Sequence, residues 1–368
     1  VPKPALDKDL KQVDRLRVAS SGLSRVLVAP GLAIVFLGGA LVLAAESFGA
    51  GPLTIYVLVA SVVAGYMALN IGANDVANYM GPTVGGRAIT LTAGLALAAV
   101  CEAAGAILAG GEVVATISRD LLTPSTAMPP LDFILVMMAA LLAAGAWIHL
   151  ATILNAPVST THAVVGGVVG AGIAAAGPDM VAWSTVGAVA ATWVVSPLLG
   201  GVLAAALLAF IYGAILGRPD RVPAARLWVP RLMGLMGGTF ALYFCVEALA
   251  QVWQPSATTI AIMGAGGALA GWGLSIPWVR VRSRSMENRA KEIGTLFTLP
   301  LILSAAFMAF AHGANDVANA VAPLAAIVAA AGGAGGAGAD VALPFWVLLI
   351  GAFGISAGLS LFGPRLIR

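Results

Sequence analysis

The chain has 368 residues, of which 60% are apolar and only 10% charged, with a formal net charge of +3. No soluble domain of that length has this balance, which is that of a polytopic helical membrane protein. The few positive charges lie between apolar stretches, which argues against a nucleic-acid-binding surface.

Taken in order, apolar spans are predicted at about 26–46, 53–73, 88–110, 131–154, 163–177, 186–216, 232–250, 258–279, 295–313 and 343–362. The expected fold class is all-α, an integral membrane protein of about ten spans. The fifth span is short for a full crossing, and the sixth is long with Pro197 inside it. A charged arm from Lys3 to Arg25 precedes the first span, which is too long for a signal peptide. Arg218, Arg221, Arg226 and Arg231 follow the sixth span. Arg280, Arg282, Arg284, Arg289 and Lys291 follow the eighth, and Arg365 and Arg368 the tenth. If each span crosses once, these clusters and Arg87 share one side. The positive-inside rule makes that side, and the N-terminus, cytoplasmic, so a multi-pass protein of the cell (inner or plasma) membrane is expected. Arg119 falls on the other side, accompanied by Glu112, Asp120 and Asp132.

The heptapeptide GANDVAN occurs at 72–78 and again at 313–319, 241 positions apart. Identical motifs at that separation imply an internal repeat. By the span count the two copies have opposite orientations, so the repeat is inverted, as in many secondary transporters. Each copy brings a carboxylate, Asp75 or Asp316, to membrane depth, where such groups are costly and usually functional. Gly72 and Asn74 disfavour a continuous helix, so broken helices are expected there, with freed backbone groups for an anion or a hard cation. Asp75 and Asn78, with their counterparts Asp316 and Asn319, add oxygen ligands that suit a hard cation such as Na⁺; the aspartates are also candidate proton carriers. A helix-packing motif with a buried aspartate is the plainer alternative.

Between the fourth and fifth spans runs NAPVSTTH, residues 155–162. Pro157 interrupts the helix, and Ser159, Thr160 and Thr161 offer hydroxyls and N–H groups at the start of the next one. The pattern fits an oxyanion cradle or, equally, an ordinary helix cap. No Lys or Arg lies inside a predicted span, so an anion at the midplane must be held by dipoles, hydroxyls and bound cations. A cation at Asp75 and Asp316 then raises anion affinity, and linkage makes the effect reciprocal. The three histidines, His149, His162 and His312, lack metal-ligand spacing and read as members of a polar network. Glu102, well inside a span, is a further candidate ion-site residue, whereas Glu247 lies nearer a span end. Cys101 and Cys245 read as packing residues.

Two GANDVAN copies with NAPVSTTH between them, together with AHGANDVANA at 311–320 and the E-x-x-G-A setting at 102–106, resemble the inorganic phosphate transporter family. The similarity runs from about residue 50 to the end. The resemblance implies a homodimeric carrier of phosphate with Na⁺ or H⁺, with inverted repeats, working by alternating access and needing no cofactor. It implies phosphate contacts from Ser159, Thr160, Thr161, Asn74, Asp75, Asn315 and Asp316, and an ion site formed by Asn74, Asp75, Asn78, Asn315, Asp316 and Asn319. On this reading residues 1–50 are an arm and an extra span, 51–216 the first repeat, 217–292 connecting spans with basic loops, and 293–368 an incomplete second repeat. The family carries a second P-V-S-[ST]-T-H motif; by the spacing of Asn74 to Pro157 its counterpart falls beyond Arg368. With Val1 in place of Met, the chain is expected to be part of a longer carrier.

Two other readings are weighed. Sulfate is also a tetrahedral oxyanion, but phosphate keeps a proton near neutral pH and can donate it to a carboxylate. An intramembrane aspartyl protease with Asp75 and Asp316 as its dyad would leave the hydroxyl motif without a role, and neither aspartate has a GxGD setting.

Overall fold

The computed structural model describes residues 27–111, 121–122, 128–249, 253–333 and 343–367. The charged arm before residue 27, and Glu112, Arg119 and Asp120, lie outside this set. The helices are α1 (Leu27–Ser47), α2 (Thr54–Gly85), α3 (Leu91–Ala109), α4 (Pro130–Ile153), α5 (Thr160–Ala176) and α6 (Trp183–Ile211). They continue with α7 (Arg221–Glu247), α8 (Ala257–Arg282), the short α9 (Ala290–Gly294), α10 (Thr298–Ala331), α11 (Phe345–Leu361) and α12 (Pro364–Ile367). Among the described residues, eight helical segments are long and apolar enough to cross a membrane, and α5 and α11 are shorter apolar helices. Each of the ten predicted spans has its helix.

The structure corrects the expectation at GANDVAN. Both copies lie inside unbroken helices, the 32-residue α2 and the 34-residue α10. The glycines do not open the helix but let another backbone approach it. A Cβ on Gly72 would run into the carbonyl of Ile355 in α11, and one on Gly313 into the carbonyl of Glu102 in α3. The partners reciprocate: Gly358 lies against the Leu69 carbonyl and Gly105 against that of Phe310. Small residues that admit a neighbouring backbone are the usual basis of membrane helix packing.

These four contacts reveal the symmetry. Leu69 and Gly72 correspond to Phe310 and Gly313, and Glu102 and Gly105 correspond to Ile355 and Gly358. The first helix of each repeat packs on the second helix of the other, the reciprocal pattern of a two-fold relation. Helices α2 and α10 form the buried centre, and α4 packs against both.

The chain breaks instead between α4 and α5. Asn155 adopts φ 55°, a left-handed conformation that Asn tolerates better than most residues. Ala156 N–H then donates to the Ala151 carbonyl and Asn155 N–H to that of Thr152, closing the α4 carbonyl end. Pro157 cannot continue the helix, and Ser159 caps α5 by accepting from His162 N–H at 3.3 Å. Pro197, by contrast, is accommodated within α6, no residue of which is buried. Helix α10 runs into the glycine–alanine stretch as far as Ala331; residues 334–342 lie outside the described set. Helices α7 and α8 pack on each other through Gly234, Gly237 and Gly238 against Gly264, Gly267 and Gly271.

Candidate functional site

The continuous helices put Asp75 and Asn78 one turn apart on α2, and His312, Asp316 and Asn319 one turn apart on α10. The α4–α5 break reaches over both. A cavity of about 390 Å³ lies between them, lined by Asp75, Asn78, His312, Asp316 and residues 157–161, with no Lys or Arg among these residues.

The two motifs use their asparagines alike at one position. Asn78 Nδ2 donates to Asp75 Oδ1 and Asn319 Nδ2 to Asp316 Oδ1, both at 3.2 Å. Thr160 donates its hydroxyl to Asp316 Oδ2 at 3.0 Å, and Asn319 also reaches Thr161 Oγ1 at 3.1 Å. The hydroxyl segment of the first repeat thus seats on the motif of the second. Its base is fixed by its own repeat. Asn74 donates to Thr152 Oγ1 and the Ala156 carbonyl, and accepts from Val158 N–H at 3.0 Å.

Four ionisable groups converge here, three lining the cavity and Glu102 behind it. His312 Nδ1 lies 2.7 Å from Glu102 Oε1, and its Nε2 lies 3.0 Å from Asp316 Oδ2 and 3.6 Å from Asp75 Oδ2. Asp75, His312 and Asp316 each offer a ligand atom within 4.8 Å of the others. Asp75 Oδ2 is buried without a hydrogen-bond partner. A buried carboxylate oxygen in that state is a costly arrangement, which a cation or a donor from a ligand relieves.

Of the predicted residues, Asp75, Asn78, Ser159, Thr160, Thr161 and Asp316 line the cavity, and Asn319 touches its hydroxyls. Glu102 stands behind it through His312. Asn74 is turned into the hairpin base instead. Asn315 is exposed, and its amide donates to the Ala311 carbonyl of its own helix. His149 stacks on Tyr66 and His162 packs on Trp193, both outside the cavity lining. Cys101 and Cys245 are free thiols within helices. Sequence reasoning missed Tyr79, whose hydroxyl lies 2.6 Å from Glu102 Oε1. Its place four residues after Asp75, on the same helix face, was the available signal.

Comparison with known proteins identifies the family. The model of the Phosphate transporter family matches residues 71–368.

The chain belongs to the phosphate transporter family. A Helicobacter pylori protein bearing the name "Putative phosphate permease" is 41% identical over 362 residues, covering 98% of this chain and 68% of that protein. The chloroplastic inorganic phosphate transporter 2-1 of Arabidopsis thaliana is 34% identical, covering 82% of this chain and 55% of its own length. A solved structure, the sodium-dependent phosphate transporter, superposes with a TM-score of 0.78 at 31% identity, covering 85% of this chain and 76% of that one. The family is one of membrane carriers rather than enzymes, so the protease reading falls.

Proposed function

We propose that the protein carries inorganic phosphate across the membrane with Na⁺, by alternating access. The phosphate is held by Ser159, Thr160 and Thr161, and the cation by Asp75 and Asp316 with Asn78 and Asn319. The observation that carries this reading is the buried, unpartnered Asp75 Oδ2 beside a hydroxyl-lined cavity without a Lys or Arg. Two aspartates facing the cavity repel an anion; a cation between them removes that repulsion and binds in turn more tightly beside the anion. Sodium is favoured over a proton because the donor set is carboxylate, carboxamide and hydroxyl oxygen, the ligands of a hard cation. The solved relative's name, a sodium-dependent transporter, supports the same choice.

Phosphate is favoured over sulfate because it can donate a hydrogen bond to an aspartate. The reading extends to a homodimer in the cell membrane with the N-terminus and the loops around 217–220 and 283–289 on the cytoplasmic side. Asn315, outside the cavity, is left without a ligand role.

Labelled-phosphate uptake into proteoliposomes, with a Na⁺ gradient, a proton gradient or neither, tests the proposal. Uptake driven by the Na⁺ gradient and resistant to sulfate is expected. Uptake driven only by protons names the other ion, and efficient competition by sulfate overturns the substrate.

A further inference from the structure

The pseudo-two-fold relation makes a prediction that the side chains break. Under it Asp75 and Asp316 are equivalent, and so should be their surroundings. The counterpart of His312 is Ile71, that of Glu102 is Ile355, and that of Tyr79 is Ala320, all three buried and apolar. One half of the site therefore carries three linked polar groups where the other carries aliphatic packing.

The linkage is short and dry. Tyr79 and Glu102 are 5% and 1% exposed. A single oxygen, Glu102 Oε1, accepts the Tyr79 hydroxyl at 2.6 Å and faces His312 Nδ1 at 2.7 Å. The Tyr79 ring also lies against the imidazole, with centroids 5.2 Å apart. Three helices, α2, α3 and α10, are joined at that oxygen. With Nδ1 fixed, Nε2 is aimed at Asp316 (3.0 Å) in preference to Asp75 (3.6 Å). Asp316 is thus engaged by His312, Thr160 and Asn319, while Asp75 has one bond from Asn78 and an oxygen left open.

The structure assigns Tyr79 as a positioning residue that, through Glu102, holds His312 on Asp316 and so keeps the Asp75 carboxylate open for the coupling cation. The assignment rests on the reading of Asp75 and Asp316 as the cation's carboxylates. Tyr79 touches neither phosphate nor cation. Without its hydroxyl, Glu102 Oε1 keeps only the imidazole, the carboxylate is free to turn, and His312 can swing toward Asp75 and cover the open oxygen. The cation then competes with a side chain for its ligand. A tyrosine serving only as core packing has no such effect, because phenylalanine fills the same space.

The test is Na⁺ activation of phosphate uptake by the full-length protein and its Tyr79→Phe variant in proteoliposomes. The half-saturating Na⁺ concentration should rise about three- to tenfold, the loss expected of one buried hydrogen bond. The maximal rate at saturating Na⁺, and the phosphate KM there, should move less than about twofold by the same reasoning. Because both residues act through one imidazole, Tyr79→Phe should add nothing to the shift of Glu102→Gln. An unchanged half-saturation with a lowered maximal rate overturns the assignment and leaves Tyr79 a packing residue. If the variant does not fold, nitrogen NMR of the unmutated protein decides. A His312 Nδ1 signal showing a strong, Na⁺-independent hydrogen bond is expected, and an averaged, mobile ring overturns the assignment. Absence of Na⁺-driven uptake in the unmutated protein sinks the cation reading itself, whereas Na⁺-driven uptake with an unmoved Tyr79→Phe sinks only the positioning role.

Discussion

Thr160 donates its hydroxyl to Asp316 at 3.0 Å across 156 positions of sequence, and with the Asn319 amide on Thr161 this bond ties the broken segment of the first repeat to the motif of the second. A carrier of this kind needs its anion cradle and its cation ligands to sense each other. In the function proposed above, Thr160 and Asp316 belong to these two sites and share a hydrogen bond, so occupation of either is felt by the other.

Thr160→Val keeps the side chain's shape and removes that bond. The Asp316 carboxylate loses a donor, and the cradle loses a hydroxyl. The phosphate KM should rise about tenfold or more, in line with the loss of a hydrogen bond to a charged group. Initial uptake rates against phosphate concentration at saturating Na⁺ read this out. A change confined to the maximal rate would place Thr160 outside the phosphate contacts.

Asn74 and Asn315 occupy equivalent positions and do different work. Asn74 makes three hydrogen bonds that fix the hairpin base, whereas Asn315 bonds its own helix and is exposed. Asn74→Ala should cost about 1–3 kcal/mol, since buried partners are left unsatisfied. Asn315→Ala should stay within about 0.5 kcal/mol. Thermal unfolding of the two variants in detergent compares them, and equal losses contradict the asymmetry.

Gly72→Ala and Gly313→Ala should both destabilise, because each new Cβ meets a carbonyl of the neighbouring backbone rather than a movable side chain. Overpacking of this kind typically costs about 1–3 kcal/mol. Gly166→Ala and Gly170→Ala, in the same class of apolar helix but facing open space, should be silent. The yield of folded protein and its melting temperature measure the contrast.

Much of this site was legible in the chain. A repeated motif with an aspartate at membrane depth, and a proline followed by three hydroxyls, located Asp75, Asp316, Thr160 and Thr161 before any coordinates. The helical state of GANDVAN was not legible. Gly72 and Gly313 weaken a helix in isolation, but the price is returned by the close approach of Ile355 and Glu102, a tertiary effect with no local sign. The split between Asn74 and Asn315 was also hidden, because identical heptapeptides face different neighbours. Tyr79 carries a weaker sign, since an aromatic beside an apolar run usually means packing, and its partner Glu102 lies on another helix.

In the proposed function a cation at Asp75 and Asp316 raises phosphate affinity in the cavity between them. Equilibrium phosphate binding to the purified full-length protein, titrated without Na⁺ and at saturating Na⁺, tests it most directly. Affinity should increase about five- to 150-fold with Na⁺, the usual range of coupling between sites, and the increase should vanish in Asp75→Asn. Equal affinity in both conditions, or an increase that survives in Asp75→Asn, would contradict the account.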